Sequence, residues 1–371
     1  MSAIRARVDS FCRRFGLELP ILLAPMAGAS APALSIAVMN AGGLGACGAL
    51  LMEPDEIAAW ADEVRANGKG PYQLNLWIPD PPPTRDPGHE QRVRAFLSDW
   101  GPPPAEDAGD ATLPDFVAQC EALLSAKPPI VSSVMGVFPS EFVARLKSAG
   151  IAWFANVSTV AEAQVAEAAG ADVIVAQGME AGGHRGCFDA LQAERRLVGS
   201  FALIPAVADS VEVPVVATGG IGDARGVAAA LMLGASAVQI GSAFLRCPEA
   251  GNHPARAAAL ASVAPEDTII SSAFSGRPGR SVATDYVLAA IADGAPSPAP
   301  YPVQRGLTAA MRAEAAETGD VQRMQAWAGQ SVRLGRAEPA DLLVRRVWDE
   351  ALALLNESHP GSELTIESTA P

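Results

Sequence analysis

Two glycine-rich turns in the second half of the chain have the make-up of a phosphate site. Residues 213–218 (VPVVAT) form an apolar run that ends at Gly219-Gly220, and residues 237–241 (AVQIG) form another that ends at Gly241-Ser242. Glycine lets the backbone approach a phosphate closely, and the N–H groups of such turns hydrogen-bond it without a lysine. A helix beginning near Asp223 would add its positive N-terminus. Tight turns without a ligand are the plain alternative. Two such turns, each directly after an apolar run, disfavour it.

Residues 171–186 (ADVIVAQGMEAGGHRG) hold a second constellation. An apolar run passes straight into Gln177, Glu180, Gly182, Gly183 and His184. Gln177 offers both a donor and an acceptor, which suits the edge of a heterocycle. His184 can take a proton near neutral pH. A solvated loop histidine is the ordinary alternative, but two glycines just before it indicate a close backbone approach. Arg185 reads equally as an orienter of an anionic group or as a surface charge. Glu180 reads as a partner behind the site or as a charge at a helix N-terminus. A third, weaker signal is Ala24-Pro25-Met26-Ala27-Gly28 together with Asn75, which would set backbone and an amide against a flat ligand. Proline and glycine also make ordinary turns there.

No metal site is expected. Cys12, Cys47, Cys120, Cys187 and Cys247 are scattered with no C-x-x-C, and His89, His184, His253 and His359 are equally dispersed. The same odd, scattered cysteines give no disulfide framework and point to a reducing compartment, taken as the cytoplasm.

Positioning these residues takes a repeated strand–helix unit. Eight apolar runs of strand length occur at 20–24, 44–49, 72–78, 129–135, 151–157, 171–177, 213–218 and 237–241. Helical periodicity fills 54–66, 114–126, 139–149, 159–169 and 223–233, with Gly68, Gly150, Gly170 and Gly234 as stops and Asp223 as an N-cap. Eight such units favour a closed (β/α)8 barrel, a TIM barrel, over an open doubly wound sheet. In such a barrel the loops after strands seven and eight form the phosphate site, and the end of strand six lies on the catalytic rim.

The domain expected is 1–355. Residues 79–112 are a proline-rich insertion after strand three, with a short helix near 89–99. It either covers the site or makes a surface excursion. Residues 306–355 are read as extra helices on the barrel's outside, and 356–371 as a disordered tail. The uncharged stretch from Ile21 to Met52 is broken by Pro25, Gly28, Pro32 and several further glycines, so it reads as buried barrel rather than a membrane span. The N-terminus has no signal-peptide pattern. A net charge of −14 argues against nucleic acid or an anionic membrane as partner.

With these motifs in place, the chain resembles the nitronate monooxygenases. The resemblance rests on APMAG at 24–28, AGGLG at 41–45, NLWIP at 75–79, AQGMEAGGHRG at 176–186, ATGGIGD at 217–223 and QIGSAF at 239–244. It covers about 20–320. It implies FMN at the barrel mouth, contacted by Asn75, Gln177, Gly182, Gly220 and the run Gln239-Ile240-Gly241-Ser242. It implies His184 as catalytic base. The implied activity is oxidation of alkyl nitronates or nitroalkanes by O2 to a carbonyl compound and nitrite. The sequence departs from the family at Ser132-Ser133-Val134, where a serine–phenylalanine pair is common, and at Ser242, where threonine is usual. It departs again after Tyr301-Pro302, where Val303, Gln304, Arg305 and Gly306 replace the familiar tyrosines and lysine. Two rival readings remain: an NAD(P)H-dependent flavin reductase of enoyl or quinone substrates, and a flavin-binding protein without turnover. The oligomeric state is not legible in the sequence.

Overall fold

A computed structural model describes residues 3–357. Eight strands form at the eight apolar runs: β1 Ile21–Leu23, β2 Gly45–Gly48, β3 Tyr72–Trp77, β4 Ile130–Val134, β5 Ala152–Val157, β6 Val173–Gln177, β7 Val215–Thr218 and β8 Ala237–Ile240. All pair in parallel, in the order β1-β8-β7-β6-β5-β4-β3-β2. A single parallel bridge, Leu22 to Leu44, joins the two ends of that order and closes the barrel. Strands enclosed by helices need apolar residues on both faces, and every residue of β1, β6, β7 and β8 is buried.

The helices between strands follow local signals. Asp223 accepts from the backbone N–H groups of Arg225 and Gly226, and Thr159 from that of Glu162. Gly150, Gly170 and Gly234 follow their helices with positive φ, whereas Gly68 ends its helix in extended backbone at φ −101°. Helix Ala340–Glu357 packs beside Ala224–Met232 and Pro32–Asn40, so it fills the eighth place in the helical ring rather than being an addition to it. It also extends past the boundary expected at 355. The remainder of the expected tail lies outside the described residues.

Three further features were not expected. Helix Ala3–Phe15 sets Phe15 against Phe154 of β5, with ring centroids 4.9 Å apart. Arg7 ties that helix to the carbonyls of Leu231 and Ala235, at the end of the barrel opposite the strand C-termini. A three-stranded antiparallel sheet joins Thr268–Ser271, Gly279–Val282 and Gly183–His184, so the segment after β8 grips the loop after β6. Residues 319–339, expected to be helical, turn back toward the barrel mouth.

The proline-rich insertion is packed onto the segment after β8 rather than being a loose excursion. Its helix Pro87–Ser98 buries Val93 and Leu97 against Phe274, Tyr286 and Met311. Arg85 pairs with Glu90 and Asp110. None of residues 79–112 lines the central cavity. Among the described residues no helix is long and apolar enough to cross a membrane.

Candidate active site

A cavity of about 330 Å³ opens at the C-terminal ends of the strands. Ala24, Pro25, Met26, Asn75, Gln177, Gly182, Gly183, His184, Gly219, Gly220, Gln239, Gly241 and Ser242 all line it. Ile240 does not. Its side chain is 1% exposed within the core, and its carbonyl accepts from the Ala24 N–H.

The glycine turns do different jobs. Gly220 takes φ +75°, and a Cβ added there would touch only the Glu180 side chain, at 3.4 Å and beyond. Its backbone therefore stays bare toward the cavity because a side chain would be conformationally strained. At Gly182, by contrast, a Cβ would lie 2.4 Å from the Gly329 nitrogen. Its missing side chain makes room for the returning 319–339 segment, while the residue itself still lines the cavity. The first N–H groups of helix Ala224–Met232 are taken by Asp223, so its N-terminus is already capped by a carboxylate.

Gln177 spends both ends of its amide on the loop that carries His184. Its Nε2 donates to the His184 carbonyl at 3.2 Å and its Oε1 accepts from the Gly186 N–H at 2.8 Å. Arg185 is fully buried and donates to the carbonyls of Gly178 and Gln177, so it is a staple inside the loop, not an anion orienter or a surface charge. Glu180 accepts from the N–H and hydroxyl of Ser200, the first residue of helix Ser200–Ala208. It is the charge at a helix N-terminus.

His184 lies between two indole rings, Trp77 at 4.6 Å and Trp327 at 4.7 Å between centroids. Its Nε2 shares a 2.8 Å hydrogen bond with Ser275 Oγ, which also meets the backbone O and N of Arg277. That contact fixes the ring's rotation, and Nδ1 has no protein partner among the described residues. Burial pushes the imidazole pKa down to about 3, helped by the charges of Arg277 and Arg305. The imidazole is therefore neutral across the physiological range. Tyr301, 5.6 Å from Trp77, has its phenol pushed up to about 12 by burial.

Asn75 was named from the sequence, but several cavity residues around it escaped that reading. Gln73 donates to Gln239 Oε1 and to the Leu23 carbonyl, and Asn75 donates to Ser132 Oγ. Gln73 Oε1, Asn156 Nδ2 and the Tyr301 hydroxyl are buried with no partner among the described residues. Gln73 and Asn75 sit two apart in β3, hence on one face of the strand. That spacing, polar residues at inward positions of a buried strand, was the available signal. Trp327, Ser275, Arg305, Arg312 and Arg256 come from beyond β8 and had no comparable mark.

The comparisons agree with this geometry. The nitronate monooxygenase family model matches residues 11–350. The nitronate monooxygenase of Paraburkholderia phytofirmans is 40% identical over 342 residues, 90% of this chain and 93% of the relative. That of Pseudomonas aeruginosa is 36% identical, covering 92% and 99%. Among solved structures, a nitroalkane oxidase from Streptomyces ansochromogenes superposes with a TM-score of 0.85 at 34% identity, covering 94% of this chain and 100% of the other. FabK from Thermotoga maritima superposes at 0.72 with 27% identity, covering 94% and 97%. This chain belongs to the nitronate monooxygenase family.

Proposed function

We propose that this enzyme holds FMN in the cavity and oxidises alkyl nitronates, or nitroalkanes deprotonated in the site, with O2 to a carbonyl compound and nitrite. The observation that carries the reading is a His184 fixed by Ser275 and two indoles on the wall of a cavity that also has a bare-backbone phosphate cradle. Two features fit the cofactor. The turns at Gly219-Gly220 and Gly241-Ser242 offer backbone to one phosphate. Gln73 Oε1 and Asn156 Nδ2 are a buried acceptor and donor lacking partners among the described residues, and the polar edge of an isoalloxazine ring supplies both. Electron transfer from substrate to O2 is the chemistry that bound FMN supplies.

The protein's part is positioning and proton handling. Trp77 and Trp327 flank the partly buried His184 and hold its ring on the cavity wall. A neutral imidazole accepts the α-proton of a nitroalkane without first losing its own. The imidazolium so formed is disfavoured by Arg277 and Arg305, and the negative charge developing on the nitro group beside it offsets them. With a nitronate the proton is already gone, and the same ring offers only a polar contact. Five buried free thiols fit a reducing compartment, and we place the enzyme in the cytoplasm.

The test is anaerobic mixing of the purified yellow protein with ethylnitronate or with NADPH. Bleaching of the flavin by ethylnitronate, with FMN and not FAD released on denaturation, is the expected result. Rapid bleaching by NADPH alone would replace this reading with the reductase.

A further inference from the structure

Three arginines line the cavity, and among the described residues no carboxylate pairs with any of them. Arg312 donates to Thr308 Oγ1 at 3.1 Å, to Gln325 Oε1 at 3.3 Å and to the Arg305 carbonyl at 2.8 Å. Arg256 donates to Asn252 and, at 2.8 Å, to the Gln325 carbonyl. Gln325 thus bridges two guanidinium groups. The guanidinium of Arg305 has no hydrogen bond or ion pair among the described residues, yet it lines the same cavity and its charge acts on both His184 and Tyr301. Glu180 is the only acidic residue among the described residues lining the cavity, and it is committed to Ser200.

Such a cluster is unfavourable when empty. Arg312 is pushed down to about 10, first by burial and then by the charge of Arg305, and burial also lowers Arg256. The chain carries a net charge of −14, so carboxylates to neutralise these arginines were plentiful, but none stands here. Partly buried like charges without counter-ions indicate that the counter-ion arrives with a ligand. A monocarboxylate would leave two of the three charges uncompensated, whereas a dianion compensates two. Guanidinium groups also match the oxygens of a tetrahedral phosphoryl group.

We propose that Arg256, Arg305 and Arg312 form a second anion subsite, separate from the glycine cradle, for a phosphate or phosphonate group on the molecule that enters after the flavin. This rests on FMN occupying the cradle. The group belongs either to the oxidised substrate or to a nicotinamide coenzyme.

The experiment uses flavin-saturated enzyme, so that the cradle is filled, and titrates it with phenylphosphonate, benzoate, benzamide, NADP+ and NAD+ by calorimetry. The subsite requires that phenylphosphonate, or NADP+ in preference to NAD+, bind roughly tenfold or more tighter than its less charged analogue. Affinity should fall as salt rises. It should drop by roughly tenfold or more in Arg305→Gln and recover in part in Arg305→Lys. Phenylphosphonate binding with equal NADP+ and NAD+ affinities assigns the group to a substrate. A preference for NADP+ assigns it to a coenzyme. The subsite is overturned if phenylphosphonate binds no better than benzoate and NADP+ no better than NAD+, or if Arg305→Gln leaves all affinities unchanged. An enzyme that bleaches with ethylnitronate yet fails these titrations loses only the subsite. One that cannot be saturated with FMN loses the functional reading first.

Discussion

His184 was legible as a residue because a histidine behind two glycines at the end of a buried strand has few structural uses. Its chemistry was not legible, because the groups that tune it are distant in sequence. Trp77 comes from β3, Ser275 and Arg277 from after β8, and Trp327 from farther still. Burial, then the charges of Arg277 and Arg305, move the imidazole from its ordinary value to about 3. The consequence for catalysis has a definite sign. A base must be unprotonated to work, so the rise of kcat/KM with pH due to His184 is complete by about pH 4 and the profile on nitroethane should be flat from about pH 5 to 8. His184→Asn keeps size and some hydrogen bonding but cannot accept the proton. Steady-state kinetics should show kcat/KM on neutral nitroethane falling by about 10²–10⁴-fold, and on pre-formed ethylnitronate far less. Equal losses on both substrates would make His184 a binding residue. Gln177 and Arg185 were likewise marked by their position on the rim, yet both use their hydrogen bonds to hold the loop that presents His184.

At the scale of elements, the strands and the helices of the β/α units could be read because periodicity and stop signals are local. The path of the chain beyond β8 could not. Residues 319–339 lie between two helices and contain Gly319 at φ +72°, Gly329 and Gly335. These breaks were visible but do not say where the chain goes. The segment returns to the mouth, where Gly329 meets Gly182 and donates to Ser242 Oγ at 2.8 Å, and it delivers Trp327 to His184. The proline-rich insertion was visible too, but its docking on Phe274, Tyr286 and Met311 depends on a partner nearly two hundred residues away. Trp327→Ala tests what the returning segment does. Removing the indole exposes the imidazole further to water, and burial is the first cause of its depressed pKa. The pKa should climb toward its ordinary value of about 6.5. The pH profile on nitroethane should then gain a descending limb between about pH 6.5 and 4 that the parent enzyme lacks. An unchanged profile would mean that the arginine charges, not the indole, keep the imidazole neutral.

Across the whole molecule the five thiols report on the barrel's integrity. Cys12 sits in the N-terminal helix, Cys47 in β2, Cys120 in helix Phe116–Ala126, Cys187 in the loop just past His184 and Cys247 after β8. All are buried and free. Burial is the first cause of the raised pKa in each, to about 11 for Cys12 and about 12 for Cys47, Cys120 and Cys247, with neighbouring acidic charges adding at every one except Cys47. The thiolate is the nucleophile, so these groups are doubly protected, by access and by ionisation. Iodoacetamide at about pH 8 should leave the flavin-bound enzyme unmodified by mass spectrometry, and all five cysteines should label only through the unfolding transition in urea. Cys187 is the most demanding position. Its carbonyl accepts from Arg277 at 2.7 Å, and Arg277 in turn pairs with Asp80 at the start of the proline-rich insertion. Labelling of Cys187 alone, before unfolding, would reveal that the loop carrying His184 opens independently of the barrel. Simultaneous labelling of all five would show that the insertion, the small sheet and the returning segment are locked to the barrel as one cooperative unit.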